Sequence, residues 1–236
     1  MSDKIIFDKE GNKFFWKGGD FHTSNGVIKA AKIKVGKIAT HLGKELLCCE
    51  ADFIDKTERI ARGPAIMAKK DIGNILANIP IDKNTKIVDA GAGCGMLAAF
   101  LARHSSKVTS YESNEKHAAI AKKNWKLLEV DVKLKNKDIY QGIDEKNVDV
   151  ITLDLQFPEK VLSHAQKSLK RGGYLVIFSP HISQVQEVMK QAKERFLHLK
   201  TIELIERKWI VEELRLRPEH MGLLHTGFVT FLRKIE

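Results

Sequence analysis

The segment Lys86-Ile-Val-Asp-Ala-Gly-Ala-Gly-Cys-Gly-Met-Leu-Ala-Ala-Phe-Leu-Ala102 constrains the fold more than any other part of the chain. A short apolar strand ending in Asp89 runs into Gly91, Gly93 and Gly95, and then into an apolar helix. Glycines at that spacing let the chain turn sharply and bring bare backbone up to a bound nucleotide-like ligand. A second apolar run, Lys107-Val-Thr-Ser-Tyr111, delivers Glu112 about twenty residues beyond the first glycine, where a doubly wound fold places a carboxylate to accept bonds from a ribose. The glycine spacing is GxGxG, one residue shorter than the GxGxxG of dinucleotide sites.

Beyond this segment strands and helices alternate. Helices are expected at 114–129, 161–169 and 182–194, and strands at 132–136, 148–153 and 173–179. Such alternation implies a mostly parallel sheet covered on both faces. The last strands, around 201–216 and 226–234, have no helix between them and are expected to form an antiparallel edge hairpin. Ahead of the glycines the texture differs. From 11 to 55 the pattern is short and strand-like, with 27–35 and 45–53 alternating, and glycines at 18, 19, 26, 36 and 43. The expected organisation is a small N-terminal β domain over 1–55 and a second domain over 56–236, whose residues 56–80 form a helical, basic linker.

Composition bounds the partners. No run of eighteen apolar residues and no secretory signal is present, so no membrane association is expected. Three cysteines, Cys48, Cys49 and Cys94, make neither a disulfide framework nor a metal pattern, and the cell interior is the expected compartment. Forty basic against thirty acidic side chains give a formal charge of +10. That balance favours a polyanionic partner through counterion release, although a lysine-rich proteome would produce it too.

In open α/β sheets the chemistry lies at the carboxyl ends of the strands. Asp89, Glu112, Asp138 and Asp154 are all expected there. Any one of them could merely cap a turn; four together in one cleft suit a ligand with amino, hydroxyl and sulfonium groups. His117, about one helical turn past Glu112, either flanks the same ribose or faces solvent.

The GxGxG loop with Asp89 ahead of it resembles the first motif of S-adenosylmethionine (SAM)-dependent methyltransferases. Two later segments resemble signatures of the tRNA (adenine-N1) methyltransferase family: Phe178-Ser-Pro-His-Ile-Ser-Gln-Val-Gln186 and Leu216-Arg-Pro-Glu-His-Met-Gly-Leu-Leu-His-Thr-Gly-Phe228. Phe21-His-Thr-Ser-Asn-Gly-Val-Ile28 is similar to that family's histidine–threonine hairpin. The resemblance implies a Rossmann-like, doubly wound domain behind a small β module, SAM as cofactor, tRNA as partner, methyl transfer to N1 of a T-loop adenine, and a cytoplasmic homotetramer without a metal. Carried over residue by residue, it places the SAM loop on Asp89, Gly91, Gly93, Cys94, Gly95, Met96 and Leu97, with Cys94 where a serine is usual. It also places the ribose carboxylate on Glu112, an adjacent contact on His117, the adenine-contacting acid on Asp138 and the catalytic aspartate on Asp154.

The chain departs from the family twice. Leu155-Gln-Phe-Pro-Glu159 keeps Pro158 but lacks the family's tryptophan, and Ala65 and Ala68 replace a glutamine and a tyrosine that would line the acceptor pocket. Two other readings stand beside the main one: an isoaspartate or small-molecule methyltransferase, and a non-catalytic tRNA-binding subunit. Which adenine is modified, and whether a partner subunit is needed, lie outside what the residues specify.

Overall fold

The structure, a computed structural model describing residues 3–24, 26–63, 66–220, 222 and 224–236, divides the chain into two compact units, Met1–Ile60 and Ala61–Glu236. The first contains β1 (Lys4–Phe7), β2 (Lys13–Trp16), β3 (Phe21–Thr23), β4 (Gly26–Ile28), β5 (Gly36–Ala39), β6 (Glu45–Glu50) and α1 (Phe53–Thr57). An antiparallel sheet of order β2-β1-β6-β5 and the hairpin β3–β4 bury Ile6, Trp16, Ile28, Ile38, Leu46 and Cys48 together. The alternating apolar positions of β1 and β6 meet across the sheet, Ile6 opposite Cys48.

Two expectations for this unit are corrected. The central strand β1 precedes Gly11, where the sequence pattern places the start of the strand-like texture. The 27–35 segment is not one strand. It leaves β4 at Ile28 and makes a 3-10 turn over Ala30–Lys32, because the Asp20 carboxylate captures the Ala30 N–H at 2.9 Å and Ile33 turns into the core.

The second unit holds α2 (Lys69–Ala77), β7 (Lys86–Ala90), α3 (Met96–Ala102), β8 (Lys107–Tyr111), α4 (Glu115–Leu128), β9 (Lys133–Lys135), β10 (Val148–Asp154), α5 (Leu162–Ser168), β11 (Leu169–Ser179), α6 (Ile182–Ala192), β12 (Phe196–Glu203), β13 (Trp209–Glu212), β14 (Arg215–Pro218) and β15 (Phe228–Lys234). Its seven-stranded sheet runs β12-β15-β11-β10-β7-β8-β9. The five strands from β11 to β9 are parallel, and β15 and β12 close the edge antiparallel. The runs of β7, β10 and β11 are almost continuously buried, as a sheet covered on both faces requires. The chain leaves β7 towards β8 and β9, then returns to place β10 on the other side. The switch point therefore falls between β7 and β10, where open α/β sheets bind ligands.

The linker expected to be one helix is two short ones, α1 and α2, with no helix among the described residues between them. A capping box at Asp52 and Asp55 starts the first. Past it, Ala61 is held to Asn124 by two hydrogen bonds (2.7 and 2.9 Å) that no helix would leave free. The C-terminal edge is antiparallel as expected, with different strand bounds. The partner of β15 is β12, while β13 and β14 form a separate hairpin between them.

Candidate functional site

Asp89, Glu112, Asp138 and Asp154 all fall towards the carboxyl end of the parallel strands, but they differ in what they touch. Asp89 lies inside the sheet at 2% exposure, and its two oxygens accept hydrogen bonds from Ser110 Oγ (2.6 Å) and Thr152 Oγ1 (2.8 Å). It ties β8 and β10 to β7 from behind the cleft. Burial pushes its carboxyl up, and the two hydroxyls only partly offset that.

The glycine loop follows. Gly91 adopts a φ of +86°, and a Cβ there would sit 2.0 Å from the Asp154 carbonyl oxygen, so only glycine lets the loop cross the end of β10. Gly95, at φ +80°, has the same reason, because a Cβ would meet Trp125 Nε1 at 2.5 Å. The Gly91 and Ala92 N–H groups both donate to Tyr111 O at 3.2 Å, which locks the loop against the end of β8. Cys94 is 2% exposed and burial raises its thiol pKa; Met96 and Leu97 are buried in the first turn of α3.

Glu112 leaves β8 with each carboxylate oxygen already held by one backbone donor: Oε2 accepts from Gly93 N (3.0 Å) and Oε1 from Asn114 N (2.9 Å). Each oxygen keeps a further lone pair for ligand hydroxyls. His117 Nδ1 lies 3.9 Å from Glu112 Oε1 in the first turn of α4. Asp138 accepts the Tyr140 N–H at 2.9 Å and caps a 3-10 turn over Ile139–Gln141. Asp154 is different again. Among the described residues no donor pairs with its carboxylate. Burial, with the nearby Asp89 adding repulsion, pushes its pKa up to about 7.

The sequence reading missed the supports behind this loop. Asn124 Nδ2 donates to Cys94 O (2.8 Å) and Trp125 Nε1 to Gly95 O (2.8 Å). Trp125 was visible as a core residue, since Ala118, Ala121, Trp125 and Leu128 make the buried stripe of α4. Its buried N–H then demanded an acceptor.

The two C-terminal segments interlock. Thr226 Oγ1 donates to Asp71 Oδ2 (2.7 Å) and accepts from Lys70 Nζ (2.5 Å), while the same lysine pairs with Asp71 Oδ1 (2.8 Å). His225 engages Glu203 Oε1 (2.6 Å) and Pro180 O (2.9 Å), and Glu203 raises its pKa. A Cβ on Gly227 would press on Phe178 at 2.6 Å. A cleft of about 1000 Å³ opens beside this cluster, lined by Ala68, Lys70, Arg207, Lys208, Glu219 and Thr226 among others. Its Thr226 wall leads into β15, two strand spacings or about 10 Å from β10. Ala65, Met221 and Leu223 lie outside the described residues. Among the described residues there is no metal-binding cluster, and no helix is long and apolar enough to cross a membrane.

Comparison with known proteins agrees with this arrangement. The chain is 29% identical to the tRNA (adenine(57)-N(1)/adenine(58)-N(1))-methyltransferase TrmI of Methanocaldococcus jannaschii, over 98% of this chain and 94% of that one. It is 29% identical to the tRNA (adenine(58)-N(1))-methyltransferase TrmI of Thermus thermophilus, over 98% and 92%. Among solved structures, a SAM-dependent O-methyltransferase from Thermotoga maritima superposes with a TM-score of 0.87 at 28% identity, covering 100% of this chain and 93% of that one. The tRNA (m1A58) methyltransferase TrmI of Aquifex aeolicus shares the fold, with a TM-score of 0.85 at 22% identity over 99% and 97%. The model of the family described as tRNA methyltransferase complex GCD14 subunit matches residues 58–234, nearly the whole second unit and its signature segments, and the chain belongs to that family.

Proposed function

We propose that this chain is a SAM-dependent tRNA methyltransferase that transfers a methyl group to N1 of a T-loop adenine. The observation that carries the reading is Asp154, a carboxylate with no donor among the described residues, at the sheet's switch point beside a loop in which Gly91 and Gly95 leave no room for a Cβ. The residues fit the cofactor. Gly91, Gly93 and Gly95 bare the backbone; Cys94, Met96 and Leu97 fix the turn; and Glu112, with His117 beside it, keeps lone pairs for ribose hydroxyls. Asp138, at the turn after β9, would accept from the adenine amino group. Asp89 acts from behind, holding three strands together and raising the Asp154 pKa.

SAM supplies an activated methyl on sulfur, so most of the acceleration can come from positioning the two reactants. Adenine N1 attacks with its own lone pair, the C–S bond breaks, and the ring becomes cationic. Asp154, held close by the rigid end of β10, stabilises that growing charge electrostatically. The T-loop adenine must leave its stack to reach the carboxylate. The +10 charge serves the tRNA backbone.

The same reading includes a cytoplasmic homotetramer. Self-association is supported by the β13–β14 hairpin, which turns Trp209, Val211 and Leu216 outward on one face at 57%, 75% and 73% exposure. An apolar face of that kind fits burial against another copy. Transfer of labelled methyl from SAM to bulk tRNA, run beside a peptide and a small-molecule acceptor, tests the function. Label in tRNA at a base whose Watson–Crick edge then blocks reverse transcription supports it. Label confined to either other acceptor, or SAM binding without any transfer, refutes it.

A further inference from the structure

Phe157, three residues beyond Asp154, is 42% exposed. Among the described residues of the second unit, Phe157 and Trp209 are the exposed aromatic side chains, and Trp209 belongs to the separate β13–β14 hairpin. A lone exposed phenylalanine is ordinary. The fastening of its backbone is not. The Phe157 N–H donates to Tyr140 Oη at 3.1 Å, and the preceding carbonyl, Gln156 O, accepts from Gln184 Nε2 at 2.9 Å. Tyr140 packs on the core, and Gln184 is itself fixed because its Oε1 accepts the His181 N–H at 3.1 Å. Directly after the ring, Pro158 and Val161 bury the 3-10 turn that follows. The loop is thus clamped from both flanks while one apolar ring is left in solvent. Lys160 Nζ lies 4.2 Å from that ring's centroid, so a cation covers one face and the other stays available.

We propose that Phe157 is the platform on which the target adenine stacks once it is drawn out of the T-loop, with Tyr140 and Gln184 as positioning residues that hold the platform still. This rests on the tRNA reading above. Three residues span at most about 11 Å between Cα atoms, so both side chains leave one short loop at the carboxyl end of β10. Stacking on an aromatic face is how proteins hold splayed-out bases, and a ring carried on a fastened backbone has only its own side-chain freedom to lose on capture. The platform also accounts for an acceptor side in which positions 65 and 68 are alanines and the family's tryptophan is absent.

The test uses the full chain with Phe157→Ala, Phe157→Leu and Phe157→Trp. Labelled-methyl transfer to bulk tRNA is measured under steady state, and SAM affinity by calorimetry. The side chain is exposed, so all three variants should fold, and an unchanged SAM dissociation constant verifies it. Expected is a fall in kcat/KM for tRNA of about 5- to 150-fold in the alanine and leucine variants, the range covered by one lost base–aromatic stack. The tryptophan variant should stay near wild type. Wild-type kcat/KM in Phe157→Leu, in an enzyme that labels tRNA, overturns the platform alone. A wild-type enzyme that labels no tRNA overturns the tRNA reading and the platform with it.

Discussion

Cofactor binding should be linked to proton release at Asp154, because its carboxyl is held near neutrality in the free protein. Burial and the repulsion of Asp89 set its pKa at about 7. At pH 6 roughly nine molecules in ten therefore carry the proton, and at pH 8 roughly one in ten. A bound sulfonium brings positive charge beside the carboxylate and pulls its pKa down. SAM binding at pH 6 should then expel about 0.9 proton, and at pH 8 about 0.1. By the same linkage SAM affinity should rise about tenfold from pH 6 to pH 8, or ~1.4 kcal/mol. Calorimetry in buffers of different ionisation enthalpy reads the proton count directly, with Asp154→Asn as the comparison. The folding stability of the free protein moves in the opposite sense. The native state keeps a proton that the unfolded chain has already lost, so the contribution is fullest below about pH 4 and is lost as pH rises through about 7. Equal proton release by wild type and Asp154→Asn at pH 6 would refute the assignment.

Further variants probe the supports of the site. Glu112→Ala should weaken SAM binding by about 1.5–3 kcal/mol, the scale of hydrogen bonds to a charged group, measured by calorimetry on the folded variant. Gly91→Ala forces a side chain to φ +86° and into the Asp154 carbonyl; melting should fall by about 1–3 kcal/mol from strain, with loss of SAM binding. Thr226→Val removes one of the donors to the fully buried Asp71 and should cost about 1–3 kcal/mol in denaturant unfolding, whatever its effect on turnover. Affinity for tRNA should drop steeply with salt while SAM affinity hardly moves; a salt-independent tRNA affinity counts against the phosphate-binding role of the surface.

Much of the doubly wound sheet was legible because its parallel strands are apolar runs ended by chemistry. Asp89, Glu112 and Asp154 each stand where a buried run stops, and the three glycines mark the loop by what they lack. The break after α1 was not legible. Gly63-Pro64 marks a stop in the sequence that the basic run around it obscured, and the bonds that hold Ala61 reach from Asn124, more than sixty positions away. The strand β1 was missed for a similar reason: Lys4–Phe7 is short and gains its partners from β2 and β6. The four acids looked equivalent as strand-end carboxylates. Only the pattern of donors separates Asp89, bonded on both oxygens inside the sheet, from Asp154, which has none among the described residues.

That contrast also explains where this chain holds to its family and where it departs. His225 and Thr226 bond to Pro180, Glu203, Lys70 and Asp71, and Gly227 leaves room for Phe178. These signature residues brace β15 and α2 against the end of β11. A change at Thr226 takes a donor from the buried Asp71, and a side chain at Gly227 forces a clash, each costing on the order of 1–3 kcal/mol; His225 and its two partners are exposed and carry less. The acceptor side carries no such penalty. Ala68 sits at the start of α2, and Phe157 points its ring into solvent, so neither is fixed by packing. On the function proposed above, residues that would meet only the acceptor are free to change as a set, provided that some ring remains to stack the base and Asp154 remains to meet its charge. On that proposal, the divergence at 65, 68 and 155–159 is what a retained reaction with a rebuilt acceptor wall would produce.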